Sequence, residues 1–455
     1  MKFKTKLYRN FARISLLVLA TSFSSCQKYF LDAEPQESVS DASAIVDAST
    51  AESALLGVYD KVQSSSYYGG DGYQAAAYLS GGDHLWVGTL NYYNTFITHT
   101  YRADNTLLNN NWYAIYKVVN GANHIIEKVA LLDPKLITPE KRNQFIGEAY
   151  FLRSLAFFDL GRAWGNIPIV LKPTKSPDEF DGVKQSNKDQ VYTQVLSDLT
   201  AAEKLLTNTV TRNRATLKTV YALKSRVHLY RSEWDKAEEY ATKIIQDASY
   251  ELIDWNTFSK GKETRESIFE LTYSTADQSA HYGAWSSDGY RNQFCPSREV
   301  FNLLQSPVTG GDRKILIKDI STPTIQNYLV QLLYWRSTGD NPSYILRLGE
   351  QFLIRAEARI KKSSTDVTGA LFDLNAVRRR AKISSSDAVT KDEVIKAIED
   401  ERRAEFALEP HRWFDLVRTN RAGAVLGVTD ENKWIFPIPF NDLAADKDLV
   451  QNSGY

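Results

Sequence analysis

Between Thr216 and Asp247 the chain reads TLKTVYALKSRVHLYRSEWDKAEEYATKIIQD, and this stretch limits the fold more than any other. Ala222, Arg226, Leu229 and Tyr230 recur at helical spacing, a short polar turn spans Ser232 to Asp235, and Ala237, Tyr240, Ala241 and Ile244 then resume the spacing. A stripe of period 3.6 on each side of a turn specifies two amphipathic helices folded back on one another. Small residues at the contact positions let the two backbones approach closely.

Such a hairpin has the form of a tetratricopeptide unit. A similar pair recurs at Leu348 to Lys361 and Ala370 to Arg380, and Asp189 to Leu206 supplies a further amphipathic helix. No fixed repeat period links them. A capping box of Ser49 and Glu52 marks a first helix, and Asn105 to Leu131 carries Leu108, Trp112, Ile115, Val119, Ala122 and Ile126 three and four apart. Thr138-Pro139-Glu140 starts a helix through Phe158 that Gly161, Gly165 and Pro168 bring to an end. A last helix runs from Thr390, boxed with Glu393, to about Leu408. Strands at Ile167 to Leu171 and Ile268 to Tyr273 are short and subordinate. No Pro- or Gly-rich linker divides the helices, so residues 48–455 read as one mainly α domain, a helical-repeat scaffold carrying long aromatic loops.

Ahead of that domain lies ISLLVLATSFSSCQKYFLD, an apolar run directly before one of only two cysteines. Lys2, Lys4, Lys6, Arg9 and Arg13 precede it without an acidic residue, in the order of a secretory signal over residues 1–25. The run is far shorter than the roughly 20 apolar residues that span a bilayer. Phe23-Ser24-Ser25 before Cys26 resembles a bacterial lipobox, with Phe23 and Ser25 departing from its usual Leu and small residue. Acylation of Cys26 would anchor the chain through the tether 26–47; ordinary secretion with a cysteine near the cut is the alternative. Cys295 then has no partner for a disulfide within the mature chain.

The chain is formally neutral, and loss of the five basic residues of the signal leaves it mildly acidic. That balance offers no electrostatic footprint for nucleic acid. No two of the six His stand three to five residues apart, and no phosphate-binding Gly loop or Gly-x-Ser-x-Gly elbow is present, so no metal, cofactor or nucleophile is indicated. A glycosidase needs two carboxylates about 5 to 10 Å apart. The acidic EDERRAEFALE (Glu399 to Glu409) reads instead as a salt-bridged helix face, with Glu401 and Glu405 four apart beside Arg402 and Arg403.

Aromatic residues are unusually frequent, 25 Tyr, 20 Phe and 9 Trp against one Met, and they concentrate in two Gly-rich regions. Residues 67–101 hold Tyr67, Tyr68, Tyr73, Tyr78, Trp86, Tyr92, Tyr93, Phe96 and Tyr101 without sustained period, a loop or short irregular strand. A sugar presents an apolar face and a rim of hydroxyls, so its site needs flat rings flanked by polar side chains. Trp86 and Tyr92 or Tyr93 near Asp83 and Asn91 supply these in one region; Tyr282, Trp285 and Tyr290 near Asp288, Arg291 and Asn292 supply them in the other. Rings that merely pack loops onto a scaffold are the competing reading.

Several stretches together resemble the SusD/RagB-like surface lipoproteins: CQKYFLDAEPQ, AESALLGVYDKVQ, EAYFLRSLAFFDLGRAWGNIPIV, ALKSRVHLYRSEWDKAEEYATKII, LRLGEQFLIRAEARI, LNAVRRRA, ERRAEFALEPHRWFDLVRTN and the terminal LVQNSGY. The resemblance implies a protein lipid-anchored on the outer membrane, without catalytic residues, that captures an oligosaccharide and acts as a lid on a SusC-like TonB-dependent β-barrel transporter. It implies packing roles for Glu401, Arg412, Trp413 and Asp415, and glycan contacts in the two aromatic regions. Peptide cargo for the same lid, a surface glycosidase and a protein-assembly scaffold are the alternatives.

Overall fold

The long helices begin where a side chain is available to satisfy their first free amides. In the computed structural model, which describes residues 45–174, 183–285, 292–326 and 328–455, residues 47–455 gather into one unit. Helix α1 (Ala48–Gln63) starts at Asp47, whose carboxylate accepts from the Thr50 amide at 2.8 Å while its own amide donates to the Thr50 hydroxyl at 3.0 Å. This box stands two residues ahead of the expected Ser49–Glu52 pair.

Helices α2 (Tyr73–Ser80) and α3 (Asn91–Ile97) occupy the segment expected to be loop or strand. Every residue of α2 is buried. A helix enclosed on all sides has no polar face, so the period that would reveal it is absent from its sequence.

Helix α4 (Thr106–Leu131) begins at Asn105, whose side chain accepts from the Leu107 and Leu108 amides, and α5 (Pro139–Trp164) begins at Thr138 with Pro139 in its first turn. Contrary to expectation α5 continues through Gly161 and ends at Gly165, where φ is 75°. Gly161 serves close approach instead: a Cβ there would lie 2.9 Å from Val191 Cγ1 of α6 (Lys188–Leu205).

The expected hairpin forms from α7 (Leu217–Tyr230) and α8 (Trp234–Ile245), turned at Ser232 with φ 57°. Short helices α9 (Trp255–Lys260), α10 (Ala280–Trp285) and α11 (Arg298–Gln305) follow, then a second hairpin of α12 (Leu348–Lys361) and α13 (Val367–Arg380). Helix α8 packs on α12, so the hairpins stack as repeats do. Buried arginine–carboxylate pairs fasten the contacts: Arg153 to Asp198 at 2.7 Å between α5 and α6, Arg226 to Glu350 at 2.6 Å between α7 and α12, and Arg355 to Asp373 at 2.7 Å between α12 and α13.

Helix α14 (Lys391–Glu405) carries the Thr390–Glu393 box and lays Val394 and Ile398 against Leu353, Leu374 and Val377. Helix α15 (Arg412–Arg418) buries Trp413, donates from Arg412 to the Gly81 carbonyl at 3.0 Å, and pairs Asp415 with Arg402 and Arg418 at 2.8 Å each. Strands among the described residues form only two-stranded antiparallel sheets. The expected Ile167 and Ile268 strands are β2 (Ile167–Pro168), paired with β3 (Gln185–Ser186), and β4 (Ser267–Leu271).

Glu401 and Glu405 do not form the locally paired helix face expected of them. Both are buried, and their partners come from distant parts of the chain. Glu401 pairs with Arg313 and with Arg378 at 3.0 Å, and Glu405 pairs with Arg313 at 2.8 Å, with Arg380, and with Arg347 at 2.5 Å. Arg402 and Arg403 turn instead to Asp415 and Asp83. Burial alone would raise the Glu405 carboxyl, but Arg380, Arg347 and Arg313 outweigh it and hold that group well below the usual carboxylate range.

Candidate functional site

The two aromatic regions, distant in sequence, meet on one small sheet. Strand β1 (His84–Trp86) runs antiparallel to β5 (Phe294–Pro296), with His84 opposite Pro296, Leu85 opposite Cys295 and Trp86 opposite Phe294. Alternation along β1 turns His84 and Trp86 inward and leaves Leu85 exposed. Beneath the sheet the rings interlock. Trp86 lies 4.2 Å from Tyr93 and 4.8 Å from Phe294, and Phe294 stacks on Trp285 at 4.6 Å with planes 19° apart. Trp285 meets Tyr78 edge-on at 4.6 Å, and His281 stacks on Tyr334 at 3.9 Å.

This packing revises the roles expected of Trp86, Tyr93, Trp285 and Asp83, all of them buried. Trp86 is 7% exposed and Trp285 is 1% exposed, so in this structure their rings are core of the loop region and offer no open face to a sugar. Asp83 is buried too; it pairs with Arg403 at 2.6 Å and Arg412 at 3.3 Å, tying the loop to α14 and α15. Eight of the nine rings of residues 67–101 are buried, Tyr67 and Tyr68 both donating to Asp159 Oδ2 at 2.7 and 2.8 Å.

Tyr92 is the ninth ring and is half-buried, with Asn91 exposed beside it at the start of α3. Tyr282 on α10 is likewise half-buried. Tyr290, Arg291 and Asp288 lie outside the described residues, as do Cys26, the signal segment 1–25 and most of the tether. Asn292 is buried and donates to the Leu329 carbonyl at 3.4 Å.

The half-buried Asp71 was not singled out from the sequence, where nothing marks it except an acid among Gly69, Gly70 and Gly72. Its backbone oxygen accepts from the Tyr93 hydroxyl at 2.9 Å, and its charge is felt by both Tyr92 and Tyr93. Burial raises its carboxyl to about 6. In and just after β1, Leu85, Val87 and Leu90 are 41%, 58% and 43% exposed.

The layer beneath is under-bonded. Among the described residues the indole N–H groups of Trp86 and Trp285 and all four ring nitrogens of His84 and His281 have no protein hydrogen-bond partner, and burial pushes both imidazoles down to about 3, so they are neutral. An unpaired buried polar group costs about 1–3 kcal/mol. Among the described residues no cluster of His, Cys, Asp and Glu suits a metal ion, and no helix is long and apolar enough to cross a membrane. The Cys295 thiol is buried and raised to about 11, unsuited to nucleophilic work.

Residues 29–229 match a family described as starch-binding and associating with the outer membrane, and residues 173–433 match the SusD family. SusD-like protein P38 of Formosa agariphila is 24% identical over 99% of this chain and 100% of its own length. Starch-binding protein SusD of Bacteroides thetaiotaomicron is 35% identical over a shorter match, 34% of this chain and 30% of that protein. A solved laminarin-binding SusD-like protein shares the mainly helical fold with a TM-score of 0.78 at 22% identity, covering 90% of this chain and 100% of its own. With more than half of its length matched by the second description, the chain belongs to the SusD/RagB family.

Proposed function

We propose that this protein captures an oligosaccharide on the ridge where β1 meets β5 and presents it, as a lipid-anchored lid, to a SusC-like TonB-dependent transporter. One observation carries the reading: both aromatic regions converge on one sheet, and the side chains not enclosed on the segments flanking its first strand include an aromatic ring, an amide, a carboxyl and three apolar groups. The Tyr92 face stacks on the C–H face of a sugar ring, Asn91 and Asp71 exchange hydrogen bonds with its hydroxyls, and Tyr282 extends the surface from α10. The buried rings act at one remove, holding Tyr92 through its 4.6 Å contact with Tyr93. Capture without catalysis suits this surface, because the acid-rich helix holds Glu401 and Glu405 in ion pairs. The outer-membrane association of the matched family supports the anchor and the lid.

The Asp71 carboxyl accepts sugar hydroxyls best when ionised, so with its pKa at about 6 the affinity for saccharide rises as pH goes from 5 to 7. Titration calorimetry across that range checks this: Asp71→Asn is expected to flatten the profile, and an equally steep profile in the variant counts against the role. For the anchor, Cys26→Ser is expected to move the protein from the membrane fraction to the soluble fraction of its host. Unchanged membrane retention contradicts acylation at Cys26.

A further inference from the structure

We propose that a second oligosaccharide site runs along the outer face of α4 and shares no lining residue with the ridge; it rests on the reading of this chain as a glycan-binding protein. Two cavities of about 440 and 750 Å³ adjoin there, with Lys61, Tyr113 and Lys117 lining both. Their walls follow α4 from Asn110 to His124, a length of about 21 Å at the helical rise.

The larger cavity is backed by two rings held by bonds, buried Trp112 and half-buried Tyr116. Trp112 donates its indole N–H to Asp442 at 3.1 Å, Tyr116 donates its hydroxyl to the Pro168 carbonyl at 2.8 Å, and the two rings lie 4.9 Å apart. Tyr113 stands 63% exposed where the cavities join, with the Lys117 ammonium 4.2 Å from its ring centre. The rim mixes donors and acceptors. Neither Lys61 nor Lys117 forms a salt bridge among the described residues, and Asp60, Asp277 and Gln278 face the same space. Half-buried Lys61 donates to the Gly57 carbonyl of its own helix at 3.5 Å, and burial lowers its ammonium. The open face of Tyr113 at the junction, with ammonium, carboxylate and amide groups lining the same cavity, matches the apolar face and hydroxyl rim of a sugar.

A polymer long enough to reach both sites binds with avidity that neither site has alone. The test titrates the full chain with maltohexaose, laminarihexaose and xylohexaose by calorimetry. The Tyr92→Ala chain is expected to retain saturable binding of at least one hexasaccharide, and adding Tyr113→Ala and Lys117→Ala is expected to weaken that remainder by about tenfold or more. Both added positions are at the surface, so circular dichroism is expected to be unchanged. Binding wholly lost in Tyr92→Ala leaves the ridge as the one site and overturns the groove, as does residual binding indifferent to Tyr113 and Lys117. A wild-type chain that binds none of the three overturns the groove and counts against the glycan reading as well.

Discussion

Replacing Arg347 with Met is expected to remove about 3–5 kcal/mol of stability, because it strips a buried charge from carboxylates that remain. Arg347 ends β8 (Ser343–Arg347) and is the hub between that strand and the C-terminal helices. Its guanidinium reaches Glu409 at 2.7 Å, Glu266 at 3.0 Å, Glu405 at 2.5 Å and the Glu405 carbonyl at 2.8 Å. Arg380 still serves Glu266 and Glu405 in the variant, whereas Glu409 is left buried without its guanidinium. The pH dependence follows from the signs. In the wild type, Glu405 is depressed by its arginines, so its contribution is full above the ordinary carboxylate range and fades as pH falls through the folded value. Without Arg347 the buried carboxylates shift upward, so the variant's deficit is present at pH 7.5 and shrinks as pH falls and they protonate. Urea denaturation at pH 7.5 and pH 5 measures both quantities. A loss below about 1 kcal/mol, or one equal at the two pH values, contradicts the network's role.

Tyr92→Ala and Trp285→Ala are expected to fail in opposite ways. The half-buried Tyr92 stands on the outer side of the ring stack, so its truncation is expected to cost about tenfold or more in saccharide affinity while the midpoint of unfolding barely moves. Trp285 is enclosed by Tyr78, His84, His281 and Phe294, so removing it leaves a large cavity and costs about 3–5 kcal/mol. Its effect on binding comes only through that collapse. Thermal unfolding and calorimetry on both variants separate the cases. A stable Trp285→Ala chain that has lost all affinity returns the stacking role to Trp285.

What the sequence made legible was the scaffold, because local rules decide it. The Thr390–Glu393 box, the Thr138-Pro139 start and the stripes of Leu217–Tyr230 and Leu348–Lys361 depend on neighbours within a turn or two, and the structure keeps them nearly to the residue. Helix Tyr73–Ser80 escaped notice because burial on every side erases its period. Glu401 and Glu405 were assigned their nearest arginines, but a buried acid takes whichever cation the tertiary fold delivers, here Arg313, Arg347 and Arg380.

The site was half legible for the same reason. Composition located two ring-rich regions, yet which face of a ring is covered depends on the β1–β5 pairing, and no local pattern encodes that pairing. Asp71 shows the limit most plainly: a lone acid between glycines has no spacing to read, and its raised carboxyl comes entirely from burial beside the tyrosines.

The most direct test of the central claim, that the surface around Tyr92 captures a glycan, is affinity electrophoresis of the wild-type and Tyr92→Ala chains through gels containing starch, laminarin, xylan or galactan. At least one polysaccharide is expected to retard the wild type and to retard the variant clearly less. A wild type that no polysaccharide retards, or a variant retarded as strongly as the wild type, contradicts it.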